Sequence, residues 1–430
     1  MRQLIAFGGG ATLAAILVLA ITQAPLGSVL FFCCAAVSCI VYGLLLPRLL
    51  REAPDGVRPD RLLLVALLFA VAFRIPLAVA WVGPRSDMVR YRWDGRVQTF
   101  GYNPYLVVPD DPALARTHTD ETRQMPSIHD RTPYGAAAQL FFRAVVTVAD
   151  SSRFMKLALV LCDLLTITVL LGWLRDTKRS LWLALVYAWN PLVILEIAHS
   201  GHIDALGSLW IALSAWMLST NRRMRAAIAF VIAVAVKLLP IVLIPLYWKR
   251  VRVRDAAAAA GVLLLLYLPF ASAGALPLGA VPNVVEYVRF NGPAFRQLAL
   301  TLSPRFAAAF ALLAGLAVAA WMRRRYSVDE PAGWAWPMAV ALAAAPVVYP
   351  WYLLCFTPFL FSRRALPLLV WTISVIPVYI VWELAYRYGH RWRVPAGVMW
   401  VEYGVVLVAL GAGVTGVIRR ERILQTEQRS

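Results

Sequence analysis

Apolar runs of about twenty residues recur along the whole chain, separated by short clusters of charged residues. A run of this length crosses about 30 Å of hydrocarbon as an α-helix. Because the membrane core offers no water to backbone groups, open sheets and irregular chain cannot replace such helices. With 61% hydrophobic residues, the chain also lies outside the composition of ordinary soluble domains. The sequence therefore predicts an all-α polytopic membrane protein.

The net charge of +19 is divided among short basic clusters that lie between the apolar runs. Lys and Arg near the ends of membrane helices stay on the cytoplasmic side, so these clusters indicate topology. Nucleic-acid binding favours basic residues gathered on one face instead. We therefore predict that the charge faces membrane lipids and that the protein binds no nucleic acid.

Keeping the basic clusters inside predicts twelve crossings, with both termini in the cytoplasm. The predicted spans are 4–23, 28–46, 62–83, 154–174, 180–197, 205–219, 256–272, 304–321, 334–350, 351–362, 366–384 and 399–418. Together they form one integral membrane domain, with an additional N-terminal hairpin (1–46), an outer loop (84–153) and the remaining helices (154–418). Residues 1–24 imitate a signal peptide, but their apolar run is long for one, and we expect an uncleaved first span.

Two segments depart from simple crossings. Both ends of 226–248 are basic, so a re-entrant pair of half-helices, broken at Lys237-Leu-Leu-Pro240, keeps every basic cluster inside. Irregular backbone at membrane depth requires protein or a water-filled cavity around it, so Lys237 is expected beside a cavity. The segment 135–149 is apolar but short, and Arg143 interrupts it, which predicts a helix on the membrane surface.

A dense charged cluster, SDMVRYRWDGRVQTFGYNPY, begins at Ser86 in the predicted outer loop. If it is helical, one face carries four polar residues: Asp87, Tyr91, Asp94 and Gln98. A carboxylate at the membrane–water boundary beside a cavity can remove the proton of a hydroxyl group. A solvated loop held by Asp–Arg pairs is the alternative, and residue types alone leave both open. Gly95 indicates a helix end, with Arg96 as a structural partner for Asp94.

The pattern SD-x-x-RY-x-WDGRVQ-x-x-GYNPY-x-x-x-PDDPAL resembles the first outer loop of a bacterial branch of the GT-C glycosyltransferases. These proteins are similar to glycosyltransferase family 87, the polyprenyl-phosphate-mannose-dependent mannosyltransferases. Four further segments match in the same order: TPYGAAAQLFFRA (132–144), WNPLVILEIAHSGHIDALG (189–207), VKLLPIVLIPLYW (236–248) and YPWYLLCFTPFL (349–360). The resemblance covers roughly 62–362 and implies a GT-C-like bundle with a catalytic acid in this loop.

GT-C loops commonly carry a pair of acids, whereas here Met88 follows Asp87. The resemblance therefore implies Asp87 as the catalytic base, alone or assisted by Asp94. No cofactor is required by this prediction, and a divalent cation is possible but not indicated, because the missing second acid weakens the case for a metal ion. Five more loop residues are predicted to bind substrate: Arg90, Tyr91, Arg96, Asn103 and Tyr105.

The segment His199-Ser-Gly-His202-Ile-Asp204 lies where a predicted span reaches the outer side. Zinc is a poor fit, because two histidines at i and i+3 need a third ligand from elsewhere. Hydrogen bonding to sugar or phosphate is the prediction for His199, His202 and Asp204. The alternative for Asp204 is a helix N-cap, since an apolar helical run follows it.

Lys237 is a cation among apolar residues, and such residues are by default functional. Its alternatives are snorkelling to the interface and pairing with an acid such as Glu196. Arg289 and Arg296 are predicted to bind a lipid phosphate, within an outer rim that also includes Arg387, Arg391 and Arg393. Tyr349 and Trp351 are predicted to stack on sugar or prenyl chain, with an interfacial aromatic belt as the alternative.

The predicted function is inverting transfer of a hexose, mannose by the resemblance, from a polyprenyl-phosphate donor to a lipid or glycan acceptor. The protein is expected as a monomer in the bacterial cytoplasmic membrane with its site facing outward. A transporter or flippase of lipid-linked sugars is the alternative. It accounts for Lys237 and Glu196, but it predicts two similar halves, which the sequence lacks. A non-catalytic scaffold leaves the Asp87 cluster unexplained.

Overall fold

The computed structural model describes residues 1–52, 60–80, 86–271 and 277–427. Over these ranges the chain forms helices and no strands, apart from one isolated bridge between Phe290 and Val347. The α-helices are α1 (Gly9–Thr22), α2 (Val29–Glu52), α3 (Arg61–Val79), α4 (Asp87–Thr99), α5 (Ala136–Val148), α6 (Ser152–Asp176), α7 (Leu185–Ala188), α8 (Pro191–Val193), α9 (Asp204–Ser219), α10 (Arg223–Val236), α11 (Ile244–Tyr247), α12 (Val253–Tyr267), α13 (Val281–Tyr287), α14 (Pro293–Leu298), α15 (Pro304–Arg325), α16 (Ala332–Ala343), α17 (Leu366–Ser374), α18 (Ile380–Tyr388) and α19 (Ala396–Glu427).

Shorter helical segments connect or extend these helices. Two are π-helical, namely Leu4–Gly8 and Ile194–His199. The others are 3-10 helices: Pro112–Thr117, Thr122–Gln124, Leu181–Ala184, Leu239–Leu243, Leu268–Phe270, Pro350–Phe359, Arg363–Ala365 and Ile376–Tyr379. Proline explains many of them, because it removes a backbone donor and shortens the regular helix.

Seven helices within the described ranges are long and apolar enough to cross a membrane. They are Leu4–Thr22, Val29–Arg51, Arg61–Val79, Ser152–Asp176, Val253–Phe270, Pro304–Arg325 and Arg363–Tyr388. A pair bent by 53°, Leu181–Ala188 with Pro191–His199, makes eight if it counts as one span. The predicted all-helical membrane architecture is confirmed, and the predicted count of twelve is not. The predicted span 351–362 is a 3-10 segment, and 334–350 holds only the short α16.

The predicted break next to Lys237 is present in the backbone. Helix α10 ends at Val236, Lys237 is extended (φ −152°, ψ 136°), and a 3-10 segment follows. The Gly135 N–H donates to the Val236 carbonyl oxygen at 3.2 Å and so satisfies one of the last groups of α10. A Cβ at position 135 would lie 2.1 Å from the Ala235 carbonyl oxygen, so only glycine fits this contact. The re-entrant path itself is not confirmed.

The segment predicted as an outer loop contains two packed helices, α4 and α5. Helix α5 lies at the predicted helix 135–149, whose location on the membrane surface stays a prediction. The predicted helix end at Gly95 is wrong, because α4 continues to Thr99. A Cβ on Gly95 would lie 2.5 Å from the Phe142 carbonyl oxygen. The lack of a side chain at Gly95 therefore allows α4 to pack closely against α5. Of the predicted basic loop between α2 and α3, residues 53–59 lie outside the described ranges, as do residues 81–85 before α4.

Candidate functional site

Asp87 occupies the first turn of α4. The Ser86 hydroxyl accepts a hydrogen bond from the Met88 N–H and caps the helix, so the half-buried Asp87 carboxylate lies at the positive end of the helix dipole. The Tyr134 hydroxyl donates to Asp87 Oδ2 in a long hydrogen bond of 3.5 Å. Burial raises the pKa of Tyr134 well above its ordinary value, and the Asp87 charge raises it further. Tyr134 therefore stays protonated and donates to the carboxylate.

The start of α4 packs against the turn that precedes α9. Gly201 has a φ of +75°, and a Cβ there would lie 2.1 Å from Met88 Sδ. The Ile203 N–H donates to the Tyr91 hydroxyl at 3.3 Å. Met88 is fully buried in this contact. An acid at position 88 would lie in an apolar contact without solvent.

A lysine–aspartate pair lies on the other side of this turn. Lys237 Nζ is 2.7 Å from Asp204 Oδ1 and 3.7 Å from the centre of the Tyr352 ring. The alternative that Lys237 pairs with Glu196 is therefore wrong. Asp204 is the first residue of α9, with Ile203 at the N-cap and no capping bond from a side chain. The predicted N-cap role of Asp204 is also wrong, and Asp204 Oδ2 is buried without a hydrogen-bond partner.

A cavity of about 170 Å³ adjoins this pair, as predicted for Lys237. Apart from Asp204 and Lys237, its lining is almost entirely apolar: Gly207, Ile211, Ala233, Leu239, Pro240, Val284, Leu342, Ala345, Pro346, Val347, Tyr352 and Cys355. An apolar cavity with an ion pair at its edge suits an amphiphile whose charged group lies next to a hydrocarbon chain.

His202 is held on the same turn by Glu196. Its Nδ1 lies 3.1 Å from the Glu196 carbonyl oxygen and 2.9 Å from Glu196 Oε2. Glu196 is fully buried, and the Tyr379 hydroxyl donates to its Oε1. The Glu196 side chain lies in the π-helical segment Ile194–His199, whose wider turn directs the chain back toward α9.

Four aromatic rings, from Phe290 before α14 to His202, stack in series. Ring centres are 4.3 Å apart for Phe290 and Tyr349, 4.4 Å for Tyr349 and Trp351, and 4.2 Å for Trp351 and His202. Both faces of Tyr349 and of Trp351 are thus covered by protein rings. Their predicted stacking on sugar or prenyl chain has no free ring face in this arrangement, and only ring edges remain for a ligand.

Asp94 has a different environment from Asp87, although both lie on α4. It is fully buried and lies 2.8 Å from the Arg90 guanidinium. Its Oδ2 accepts from the Thr132 hydroxyl at 2.7 Å and from the Gln139 amide at 2.9 Å. The predicted structural pairing of Asp94 holds, but its partner is Arg90 and not Arg96. Through these contacts the Asp94 carboxylate links α4 to α5.

The other predicted substrate ligands lie away from Asp87 or are engaged elsewhere. Arg96 pairs with Asp150 and donates to the Thr117 carbonyl oxygen at 2.9 Å. Asn103 donates to the Phe270 carbonyl oxygen at 3.0 Å, and the Tyr105 hydroxyl donates to the Tyr134 carbonyl oxygen at 2.8 Å. His199 Nδ1 lies 3.4 Å from the Ser200 hydroxyl. The Arg289 guanidinium donates to carbonyl groups of its own helix region, and Arg296 is exposed on α14.

His199, His202 and Asp204 stand close together in the sequence as possible metal ligands. In the part of the chain that the structure describes, no three His, Cys, Asp or Glu side chains come together as metal ligands. His202 and Asp204 instead bind Glu196 and Lys237 respectively.

Several buried polar residues were not identified from the sequence. Tyr134 and Tyr379, which donate to the two acids of the site, read as ordinary aromatic residues in apolar surroundings. Arg74 and Asp163 form a fully buried ion pair between α3 and α6. A charged residue in each predicted span was a usable signal, because intramembrane charges require partners.

Apolar helices that enclose acids, a lysine and a histidine beside an apolar cavity define an integral membrane protein with a buried polar site. The chain belongs to the MptA_B family, described as alpha-(1->6)-mannopyranosyltransferase, N-terminal domain, which it matches over residues 5–251. It is accordingly a glycosyltransferase, and the resemblance to GT-C mannosyltransferases is confirmed. Neither the curated proteins nor the solved structures gave a significant match.

Proposed function

We propose that the protein transfers mannose from a polyprenyl-phosphate donor to a lipid or glycan acceptor at the outer face of the bacterial cytoplasmic membrane. The observation that carries this proposal is the position of Asp87 in a mannosyltransferase chain. Its carboxylate is half-buried, at a helix start, and electrostatically coupled to His202. The apolar cavity beside Lys237 supports a lipid-linked donor over a nucleotide sugar. The family description supports an α-(1→6) product.

In this mechanism Asp87 accepts the proton of the acceptor hydroxyl while that oxygen bonds to the anomeric carbon. The bond from that carbon to the phosphate oxygen breaks, and its electron pair leaves with the polyprenyl phosphate. Inversion gives an α product from a β-linked donor. Lys237 lies beside the cavity and stabilises the negative charge of the departing phosphate.

The direct test uses purified protein in proteoliposomes with two donors. Mannose is expected to be transferred from a synthetic β-mannosyl phosphate of a polyprenol and not from a nucleotide-linked mannose. Transfer from the nucleotide sugar alone would overturn the proposed donor. Movement of the intact lipid-linked sugar across the bilayer without transfer would favour the flippase alternative.

Lys237→Met is expected to lower the transfer rate by about 10²-fold, because a charge that stabilises the leaving group is lost. The variant also leaves the buried Asp204 without its partner. The double variant Lys237→Met/Asp204→Asn separates the two effects, since it removes both charges. It is expected to recover thermal stability and not activity. Lys249→Met, at an exposed lysine, is the matched control. Wild-type turnover by Lys237→Met would remove this lysine from the site.

The predicted membrane topology places residues 251 and 323 in the cytoplasm. The Arg323 guanidinium lies 3.4 Å from the Trp248 carbonyl oxygen, which is consistent with both segments lying on the same side of the membrane. Cysteines introduced at the exposed neighbours Arg254 and Arg324 are expected to resist a membrane-impermeant thiol reagent in intact cells. Asp120→Cys, fully exposed in the outer loop, is expected to react. Efficient labelling at position 254 or 324 would contradict this topology.

A further inference from the structure

The histidine on the turn before α9 has one nitrogen that is already committed. His202 Nδ1 faces two oxygens of Glu196, its carbonyl at 3.1 Å and its Oε2 at 2.9 Å. Both are acceptors, so Nδ1 carries a hydrogen in either charge state of the ring. Nε2 is therefore the atom that gains or loses the proton, and it makes no hydrogen bond with any residue that the structure describes.

The charges around His202 favour its protonated form. Burial alone lowers the pKa of His202, but contact with the Glu196 carboxylate outweighs this, and Asp87 and Asp204 add to the rise. His199 is the other titratable neighbour, and Lys237 neutralises part of the Asp204 charge. The net result is a pKa above the ordinary value, so the imidazolium persists to higher pH than in a free histidine.

We propose that His202, held by Glu196, donates a proton from Nε2 to the leaving phosphate oxygen. This inference rests on the proposed function. It adds a general acid, His202, to the general base, Asp87. Asp87 takes one proton from the acceptor hydroxyl, the carbon–oxygen bond to the phosphate breaks, and its electron pair takes the Nε2 proton. Polyprenyl phosphate is then released as the monoanion, Asp87 loses its proton to solvent, and His202 regains one from solvent. A phosphate monoester with a second pKa of about 6 is well matched to an imidazolium donor.

Glu196 is a positioning residue in this scheme, because it acts through His202. Tyr379 donates to Glu196 Oε1, and the Trp351 ring covers one face of the imidazole at 4.2 Å. These contacts hold the ring in one orientation. The fully buried Glu196 carboxylate also favours the protonated form of the imidazole that it contacts.

The test measures kcat against pH for purified wild type, His202→Gln and Glu196→Gln, with the polyprenyl-phosphate donor. Wild-type kcat is expected to fall as pH rises through the His202 pKa, because the imidazolium is lost there. His202→Gln is expected to lower kcat at neutral pH by at least about 10²-fold and to remove this basic limb. Glu196→Gln is expected to shift the limb to lower pH. His129→Gln, at an exposed histidine of the outer loop, is the matched control.

A second measurement keeps the inference separate from the donor assignment. Binding of farnesyl phosphate, a soluble mimic of the product, is followed by calorimetry at pH 6 and pH 9. Wild type is expected to bind at least tenfold more weakly at pH 9, and His202→Gln to lose this difference. If wild type transfers mannose and Asp87→Asn does not, but His202→Gln keeps the wild-type pH profile, the inference fails alone. If wild type transfers nothing from the polyprenyl donor, the proposed function fails instead.

Discussion

Replacing Asp87 by Asn is expected to lower the rate of mannosyl transfer by at least about a hundredfold, the low end for loss of a general base. Asn keeps the size of the side chain and still accepts the hydrogen bond from Tyr134, so the fold around α4 should persist. Donor affinity should change little, because this carboxylate acts on the acceptor. The measurement is kcat and KM for both substrates, with the thermal midpoint as a check on folding.

Two other carboxylates of the outer loop serve as controls. Asp94→Asn removes the buried partner of Arg90 and is expected to lower thermal stability more than it lowers kcat. Asp120→Asn, at a fully exposed side chain, should change neither. An active Asp87→Asn together with an inactive, stably folded Asp94→Asn would exchange the two roles. If both variants stay active, the transferase mechanism loses its base and the flippase alternative becomes stronger.

Replacing Arg74 by Met is expected to reduce the free energy of unfolding by about 3–5 kcal/mol, the cost of breaking a buried ion pair from one side. Arg74 and Asp163 are fully buried between α3 and α6. Arg74 also donates to the carbonyl oxygens of Ala70 and Ala188, at 2.7 and 2.9 Å. Without Arg74, the Asp163 carboxylate keeps one donor, the Tyr187 hydroxyl at 2.8 Å.

The effect is measured as reversible unfolding of the purified protein in detergent. Arg61→Met is the matched control, because Arg61 lies on the same helix and is exposed. The double variant Arg74→Met/Asp163→Asn removes both charges and should recover a large part of the lost stability. Equal stability of Arg74→Met and Arg61→Met would show that the pair contributes little.

The helical elements were largely predictable from the sequence, because a membrane requires long apolar helices and marks their ends with basic residues. The predicted spans at 62–83 and 154–174 correspond to α3 and α6 within a few residues. The predictions were less successful where helices are short. Runs such as 351–362 are apolar enough to cross, but their prolines give a 3-10 helix, and hydropathy alone does not detect this.

For the candidate site, the sequence identified the residue types and the structure decided the partners. Asp87 was predicted from the resemblance, and His202 and Asp204 as hydrogen-bonding residues. Lys237 was predicted because a charge among apolar residues is costly without a purpose. Lys237 was open to pairing with Glu196, yet it binds Asp204, while Glu196 binds His202. Lys237, Asp204, Glu196 and His202 are all far from Asp87 in the sequence. No local sequence pattern indicates which of these side chains pair with one another.

What the sequence by itself determined is therefore the membrane class and the positions of the long apolar helices. These follow from local properties: length, hydropathy and charge along a continuous stretch. Only the tertiary structure decided that Met88 packs on Gly201, that Gly95 serves a close helix contact, and that Tyr349 and Trp351 have no free faces. Each of these depends on which surfaces meet between segments far apart in the chain. That choice is made by packing and by the pairing of buried polar groups, and neither is a property of any single segment.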